Sequence, residues 1–375
     1  MVAAWYNTNG MNGISMQSFA GFMKELVQTE DNPMTKSLFT ITAITSVVTA
    51  LQLFLGALVG YVLLLLHAVL SIPTQQAFRS PDSSAFVTFQ FRESLSSALH
   101  GIGSICTNLG FMYGSASLVQ IIKLLEPFEI LLLTRIFLPE ERKLLTMGVA
   151  SSMILTVGAA ISLIQFKNSQ PHVHAVTFAL LSGFTLSMRN VLQRQQYNSS
   201  LLQPLNSSPP STSVLEKSLM QFTKLSWQSA WLMLAFSIVL FLLLGLHQSP
   251  AAAFKVFYAA IQGINWGILT WHPMYNSLSM ITLGYCSALT HSLLNAGKRV
   301  FAIVMAITWF REDVTRGTMV GLTLVFGGGC WYTIESKAKG EGQPYWMRLT
   351  KPMISLLLLQ LVQLVNDQEH MKTIR

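Results

Sequence analysis

The sequence predicts an all-α membrane protein that crosses the bilayer several times. Hydrophobic residues make up 51% of its 375 residues and charged residues only 11%, whereas soluble domains carry about 25% charged residues. Apolar stretches long enough to span a bilayer as a helix, about 20 residues, recur along the chain. We count about ten of them, near residues 2–23, 38–70, 94–115, 117–138, 144–166, 172–196, 223–246, 261–287, 290–310 and 316–335.

These segments differ in polarity. The first, 2–23, is rich in Asn, Gly and Ser, whereas 38–70 is almost entirely apolar. Several segments are less apolar than a lipid-facing helix, which is typical of helices that line a cavity. The connections near positions 116 and 289 are very short and predict tight helical hairpins.

Composition divides the chain into four parts. Residues 1–196 hold the first six segments, and the Ser- and Pro-rich stretch 197–222 predicts a flexible loop. Residues 223–335 hold the remaining segments. The basic tail 336–375 contains an apolar run, 353–365, that is too short to span and predicts an interfacial helix.

A short internal repeat predicts how the segments are arranged. Phe137-Leu138-Pro139-Glu140 corresponds to Trp309-Phe310-Arg311-Glu312 with a constant offset. Because five helices per half is an odd number, the two repeats would be inverted across the membrane. Inverted repeats place a substrate site between them near mid-membrane.

The net charge of +8 comes from scattered basic residues and does not indicate nucleic-acid binding. The loops after the second, fourth and sixth segments and the tail hold most of the Lys and Arg, so the positive-inside rule predicts cytosolic termini. The three cysteines have neither metal-ligand nor disulfide spacing. The sequence contains no phosphate-cradling Gly loop, GxSxG or HExxH motif. We therefore expect neither an enzyme nor a cofactor, and the oligomeric state stays open.

Two adjacent cations, Lys298 and Arg299, lie inside an apolar segment. A cation in a membrane helix costs roughly 3 kcal/mol on insertion scales, so it indicates a functional site. Together the two favour a ligand with a compact double negative charge, such as a phosphate monoester. The alternative is that one of them snorkels or pairs with a carboxylate.

Other embedded polar residues are further candidates for the substrate pathway. Lys123 and Glu126 share a helical face and can either bind ligand or neutralise each other, and Pro127 predicts a kink beside them. The sixth segment carries Arg189. The remaining candidates are Tyr275, whose hydroxyl can bond a substrate, and His291 and Asn295, which can orient Lys298.

From about residue 90 to 335 the chain resembles the triose-phosphate translocator branch of the drug/metabolite transporter superfamily, which includes nucleotide-sugar transporters. The matching strings are Ile122-Lys123-Leu124-Leu125-Glu126-Pro127, Arg189-Asn190-Val191-Leu192, His272 with Tyr275-Asn276, and Leu289-Thr290-His291 through Asn295 to Lys298-Arg299-Val300-Phe301. The resemblance implies a ten-helix antiporter fold in which Lys123, Lys298 and Arg299 bind phosphate. It also implies that Tyr275 binds the rest of the substrate and that Arg189 is a further cavity arginine.

The chain departs from the family pattern at Gln17, where a lysine is usual, and at Gly284-Tyr285, where Glu-Arg is usual. Retention of Arg299 favours a phosphate-type substrate. We therefore expect a lipid-embedded antiporter that exchanges triose phosphate, phosphoenolpyruvate or sugar phosphate against phosphate by alternating access.

Two alternatives stay open. One is a nucleotide-sugar/nucleoside monophosphate antiporter of the Golgi or endoplasmic reticulum, and the other is a membrane scaffold or receptor without transport. The first residues show neither a cleavable signal nor a transit-peptide pattern. The expected location is therefore a plastid envelope or a Golgi/endoplasmic reticulum membrane.

Overall fold

A computed structural model describes residues 2–29, 38–70, 91–138, 153–161, 173–201, 213–247, 261–312 and 315–338, together with 254 and 258. Every regular element in these ranges is helical. A single 3₁₀ turn, Lys123–Leu125, separates α4 from α5. The helices are α1 (Val2–Thr29), α2 (Leu38–Leu70), α3 (Phe91–Tyr113), α4 (Ala116–Ile122), α5 (Glu126–Phe137), α6 (153–161), α7 (Val173–Leu201), α8 (Val214–His247), α9 (Trp266–Tyr285), α10 (Ala288–Phe310) and α11 (Arg316–Ala338).

The helices pack so that α1 lies against both α9 and α10, while α2 runs along α8 and α3 along α7. Four stretches are long and apolar enough to cross a membrane by length and composition: Thr40–Leu70, Val173–Gln196, Val214–Leu243 and Ala288–Phe310. The last of these is the most buried, because α10 lies at the centre of the bundle with helices on several sides.

The predicted segment 117–138 is interrupted at the point where its charged residues lie. The backbone N–H of Glu126 bonds to the carbonyl of Lys123, three residues earlier, and Pro127 follows at the start of α5. Proline has no N–H and its ring clashes with the carbonyl four residues before it, which here is that of Lys123. The break in the α-helical hydrogen bonds expected beside Pro127 is therefore present as a 3₁₀ turn.

The start of α4 is held by side chains from three places in the chain. Ser115 caps the helix by accepting from the Leu118 N–H at 3.2 Å, and Gln17 of α1 accepts from the Ala116 N–H at 2.7 Å. The Ser117 hydroxyl donates to the carboxylate of Glu312, which follows α10. Burial raises the pKa of Glu312 above its ordinary value. Gln17 therefore anchors a helix end.

The predicted loop 197–222 is too long at both ends. Helix α7 continues to Leu201, and α8 already begins at Val214. The stretch 214–222 is polar enough to suggest a loop, but Ser213 caps it by accepting from the Glu216 N–H at 3.1 Å. Its apolar residues Leu219 and Phe222 are buried against other helices. The apolar residues of 214–222 recur with the period of a helix, and their burial makes this stretch helical in spite of its polar composition.

Other predicted parts fall partly or wholly outside the described residues. Of the segment 144–166 only 153–161 is described. The tail 336–375 is described only as far as Ala338, so the interfacial helix over 353–365 stays a prediction.

A glycine contact between α6 and α11 generates a stability prediction. A Cβ added at Gly158 would lie 2.6 Å from the carbonyl oxygen of Gly321 and 2.8 Å from the backbone nitrogen of Val325. Because backbone cannot move aside cheaply, we expect Gly158→Ala to destabilise the protein by about 1–3 kcal/mol and lower its thermal midpoint in detergent. Gly21→Ala is the control, since its Cβ would meet nothing within 4 Å. Equal midpoints for the two variants would contradict the close packing.

Candidate substrate-binding site

Side chains from α1, α3, α4, α5, α7, α9 and α10 converge on a polar cavity inside the bundle. It holds about 460 Å³ of space not occupied by atoms, part of it open to the outside. The cavity is lined by Asn9, Asn12, Thr107, Phe111, Gln120, Lys123, Glu126, Leu186, Arg189, Asn190, Tyr275, Asn276, Ser279, Asn295, Lys298 and Arg299.

An ion pair between α5 and α10 forms one wall of the cavity. The guanidinium Nη2 of Arg299 donates to Oε2 of Glu126, and both side chains are almost completely buried. A buried ion without a partner costs several kcal/mol even after relaxation. Each of these two charged groups therefore offsets part of the free-energy cost of burying the other.

Neutral amides surround this ion pair. The second oxygen of Glu126 accepts from Asn295 Nδ2 at 2.8 Å and from Asn190 Nδ2 at 3.4 Å. On the other side, Arg299 Nη1 donates to Gln120 Oε1 at 3.3 Å. The carboxylate thus accepts three hydrogen bonds, which fix its position relative to α7 and α10.

Lys123 has its hydrogen-bond partner on α3. Its ammonium donates to the Thr107 hydroxyl on α3, which in turn lies 2.5 Å from the Ser182 hydroxyl on α7. The ion-pair partner of Glu126 is Arg299 of α10, and Lys123 forms no ion pair with Glu126 among the described residues. Lys123 is thus held by a hydroxyl group and lines the cavity.

Lys298 is held by aromatic rings. Its Nζ lies 4.6 Å from the ring centroid of Trp5 and 5.2 Å from that of Tyr275. No carboxylate of the described residues lies within ion-pairing distance of it. The faces of aromatic rings attract cations, most strongly where water is excluded, so the rings retain the ammonium without cancelling its charge.

Helix α1 is docked onto α10 at the turn that carries Lys298. The Tyr6 hydroxyl donates to the Leu294 carbonyl at 3.0 Å. Gly297 makes room for this hydroxyl, since a Cβ at position 297 would lie 2.8 Å from the Tyr6 hydroxyl oxygen. The Trp5 ring also stacks on His291 at 5.4 Å between centroids. These contacts place Trp5 over Lys298.

Arg189 on α7 also lines the cavity and has only neutral hydrogen-bond partners among the described residues. Its Nη2 and Nε donate to Asn190 Oδ1 at 2.7 and 3.2 Å. Its Nη1 donates to Nδ1 of His100 at 2.7 Å. Arg189 is therefore a further cation of the cavity wall without an ion-pair partner among the described residues, like Lys123 and Lys298.

The structure brings together most of the residues selected from sequence. Seven of them line the cavity: Lys123, Glu126, Arg189, Tyr275, Asn295, Lys298 and Arg299. His291 lies behind the wall, where its Nε2 is 3.0 Å from the Ser279 hydroxyl. The sequence analysis missed Asn9, Asn12 and Thr107, which are small polar residues. The signal available for the first two was their spacing of three residues in an otherwise weak membrane segment.

The ion pair generates a stability prediction. We expect Glu126→Gln to lower the thermal midpoint strongly, because breaking a buried pair by removing one partner costs about 3–5 kcal/mol. Arg299→Gln should do the same, and the double variant should recover part of the loss. Glu93→Gln is the control, since it breaks the more exposed Glu93–Lys224 pair at 2.5 Å and should change stability less. Losses that simply add in the double variant would show that the pair is not coupled.

Residues 26–333 match the sequence model of the Triose-phosphate Transporter family. The chain is 24% identical over 349 residues to phosphoenolpyruvate/phosphate translocator 3, chloroplastic, of Oryza sativa subsp. japonica, covering 90% of this chain and 74% of that protein. It is 25% identical over 252 residues to phosphoenolpyruvate/phosphate translocator 1, chloroplastic, of Arabidopsis thaliana, covering 64% and 54%. A solved crystal structure of a protein aligns with a TM-score of 0.47 and 14% identity over 89% of this chain and 98% of its own.

The family match begins near the end of α1 and includes the other helices that line the cavity. It covers most of the chain, in agreement with the resemblance noted from the Lys123, Arg189, Tyr275 and Lys298 strings. The chain belongs to the Triose-phosphate Transporter family, whose members are integral membrane transport proteins.

Proposed function

We propose that this protein is a secondary antiporter that exchanges a phosphorylated small metabolite against inorganic phosphate. The observation that carries the proposal is the charge of the cavity. Four cations and one carboxylate line it, and the carboxylate is already paired with Arg299. The net positive charge that remains suits a phosphate group, and the relatives named above are phosphoenolpyruvate/phosphate translocators.

In this proposal the phosphate oxygens accept hydrogen bonds from Lys123, Lys298 and Arg299. Arg299 Nε is buried without a hydrogen-bond partner among the described atoms, so one donor of the guanidinium is still available. Lys123 would exchange its bond to Thr107 for one to phosphate. Charge-assisted hydrogen bonds of this kind contribute about 1.5–3 kcal/mol each. Tyr275 would contact the rest of the substrate.

The same charge supplies a reason for obligatory exchange. With no anion bound, several desolvated positive charges would have to pass through the closed state in which the cavity contacts no water, and buried like charges repel strongly. A bound phosphate dianion offsets most of that charge. The loaded protein would therefore reorient faster than the empty one, as alternating access with exchange requires.

We further propose about ten membrane helices in two inverted five-helix repeats. The helices of the described residues and the four apolar spans among them support a helical protein that crosses the membrane several times. The names of the relatives favour the plastid envelope over the Golgi or endoplasmic reticulum. Cytosolic termini stay a prediction from the charge of the loops.

Exchange in proteoliposomes tests the proposal. Purified full-length protein is reconstituted with or without internal phosphate, and uptake of labelled phosphate, triose phosphate, phosphoenolpyruvate, hexose phosphate and nucleotide sugars is measured. We expect uptake of phosphate and at least one phosphate ester that requires internal phosphate. Equal uptake into empty vesicles would contradict exchange. Uptake of a nucleotide sugar alone would favour the Golgi alternative, and no uptake of any compound would favour a scaffold or receptor.

Lys298 provides the matched variant for that assay. We expect Lys298→Gln to lower phosphate exchange at subsaturating phosphate at least about tenfold, because it removes a charge-assisted hydrogen bond. Lys224→Gln is the control: it removes the same charge from α8, where Lys224 pairs with Glu93 outside the cavity. An equal loss in both variants would point to a general effect of charge or folding.

The aromatic contacts of Lys298 make a separate prediction. Trp5→Leu removes the ring face, so the phosphate concentration giving half-maximal exchange should rise about threefold to thirtyfold, the range that corresponds to a cation–π contact. Trp5→Phe keeps a ring and should fall between Leu and the wild type. Trp227→Leu is the control, because that partly exposed ring lies on α8 against Phe54 and Trp231. Identical results for Leu and Phe at position 5 would exclude a role for the ring face.

A further inference from the structure

The wall of the cavity formed by α1 carries two amide side chains, Asn9 and Asn12. Both line the cavity, and their exposed fractions are only 5% and 2%. Asn9 Nδ2 and Asn12 Oδ1 are buried without a hydrogen-bond partner among the described atoms. An unsatisfied buried polar atom costs about 1–3 kcal/mol, so a donor and an acceptor in the same wall indicate a ligand.

The two side chains share one face of α1. Positions 9 and 12 are three residues apart, and Trp5 lies four residues before Asn9, so the three side chains form one stripe. Helix α1 approaches α10 closely there, because a Cβ added at Gly10 would collide with the sulfur of Met305. The Trp5 end of the stripe covers Lys298. The amides therefore continue from the cation site along the cavity wall.

This wall has a different chemistry from the cationic side. Lys123, Arg189, Lys298 and Arg299 offer only donors, which suit the oxygens of an anion. Asn12 presents an unpaired acceptor, which neither a deprotonated phosphate nor a carboxylate can satisfy. A hydroxyl group both donates and accepts, so one hydroxyl can bond to Asn12 Oδ1 and to Asn9 Nδ2.

We propose that Asn9 and Asn12 bind a hydroxyl group on the carbon skeleton of a phosphate ester whose phosphate lies at Lys123, Lys298 and Arg299. This assignment rests on the proposed function and narrows its substrate class to hydroxylated phosphate esters. The distinction matters because a site built to bond a hydroxyl rejects the analogue that lacks it, since its own polar groups are then left unpaired.

A matched pair of competitors tests the assignment in the wild-type protein. Glycerol 3-phosphate and n-propyl phosphate have the same three-carbon chain and differ in their hydroxyl groups. Each is titrated against uptake of labelled phosphate into phosphate-loaded proteoliposomes. We expect glycerol 3-phosphate to reach half-inhibition at a concentration about tenfold lower, the effect of roughly two net hydrogen bonds.

Variants of α1 then test whether Asn9 and Asn12 cause the preference for glycerol 3-phosphate. Asn9→Ala and Asn12→Ala should each move the ratio of the two half-inhibition concentrations towards one. Asn7→Ala is the matched control, because Asn7 is the same residue type on the exposed face of the same helix. The ratio of the two half-inhibition concentrations in Asn7→Ala should equal that of the wild type. Since the wild-type comparison needs no variant, a folding defect in Asn9→Ala or Asn12→Ala leaves the main test intact.

Equal inhibition by the two esters in a wild-type protein that exchanges phosphate would overturn this inference and leave the proposed function standing. A preference that persists unchanged in both alanine variants would overturn the assignment to α1. Absence of any phosphate exchange in the wild type would overturn the proposed function and the hydroxyl site together.

Discussion

The ion pair between Glu126 and Arg299 is the interaction on which the rest of the cavity depends. It joins residues 173 positions apart in sequence and links α5 to α10 where neither charge reaches water. Asn190, Asn295 and Gln120 complete its hydrogen bonds. Because removal of either partner leaves a buried charge uncompensated, the pair holds α10, which carries Lys298 and Arg299, against α5, which follows the turn that carries Lys123.

The only carboxylate that lines the described cavity is paired with Arg299, and this pairing determines the charge that a ligand meets. Lys123 and Lys298 have a hydroxyl and two aromatic rings as partners instead of acids. Such neighbours stabilise an ammonium without reducing its net charge. An incoming anion therefore does not have to break an ion pair to reach either lysine. The aromatic rings and the Thr107 hydroxyl therefore stabilise the two lysines when no ligand is bound, and they leave the site attractive to anions.

Much of this arrangement was predictable, because a charge inside an apolar helix is conspicuous. Lys123, Glu126, Arg189, Lys298 and Arg299 were identified on that basis, and Pro127 predicted the break beside them. Their pairing was not predictable, since Lys123 is closer to Glu126 in sequence than Arg299 is, and only the packing of α5 on α10 decides between them. Asn9, Asn12 and Thr107 escaped notice because uncharged polar residues are common in membrane helices that face other helices.

The contacts also differ in how easily a substrate can replace them. Tyr6 bonds to a backbone carbonyl and Glu126 holds Arg299 through Nη2, whereas the phosphate is proposed to use Arg299 Nε, so the bonds that join α1, α5 and α10 need not break when it binds. The link from Lys123 to Thr107 on α3 is different, because its donor is one that a phosphate would also use. Binding would then loosen the connection of the 3₁₀ turn to α3 while leaving the α1–α5–α10 unit intact. Occupancy of the site and relative movement of helices would thereby be coupled through a single lysine, which is the kind of differential contact that a ligand needs in order to shift a conformational equilibrium.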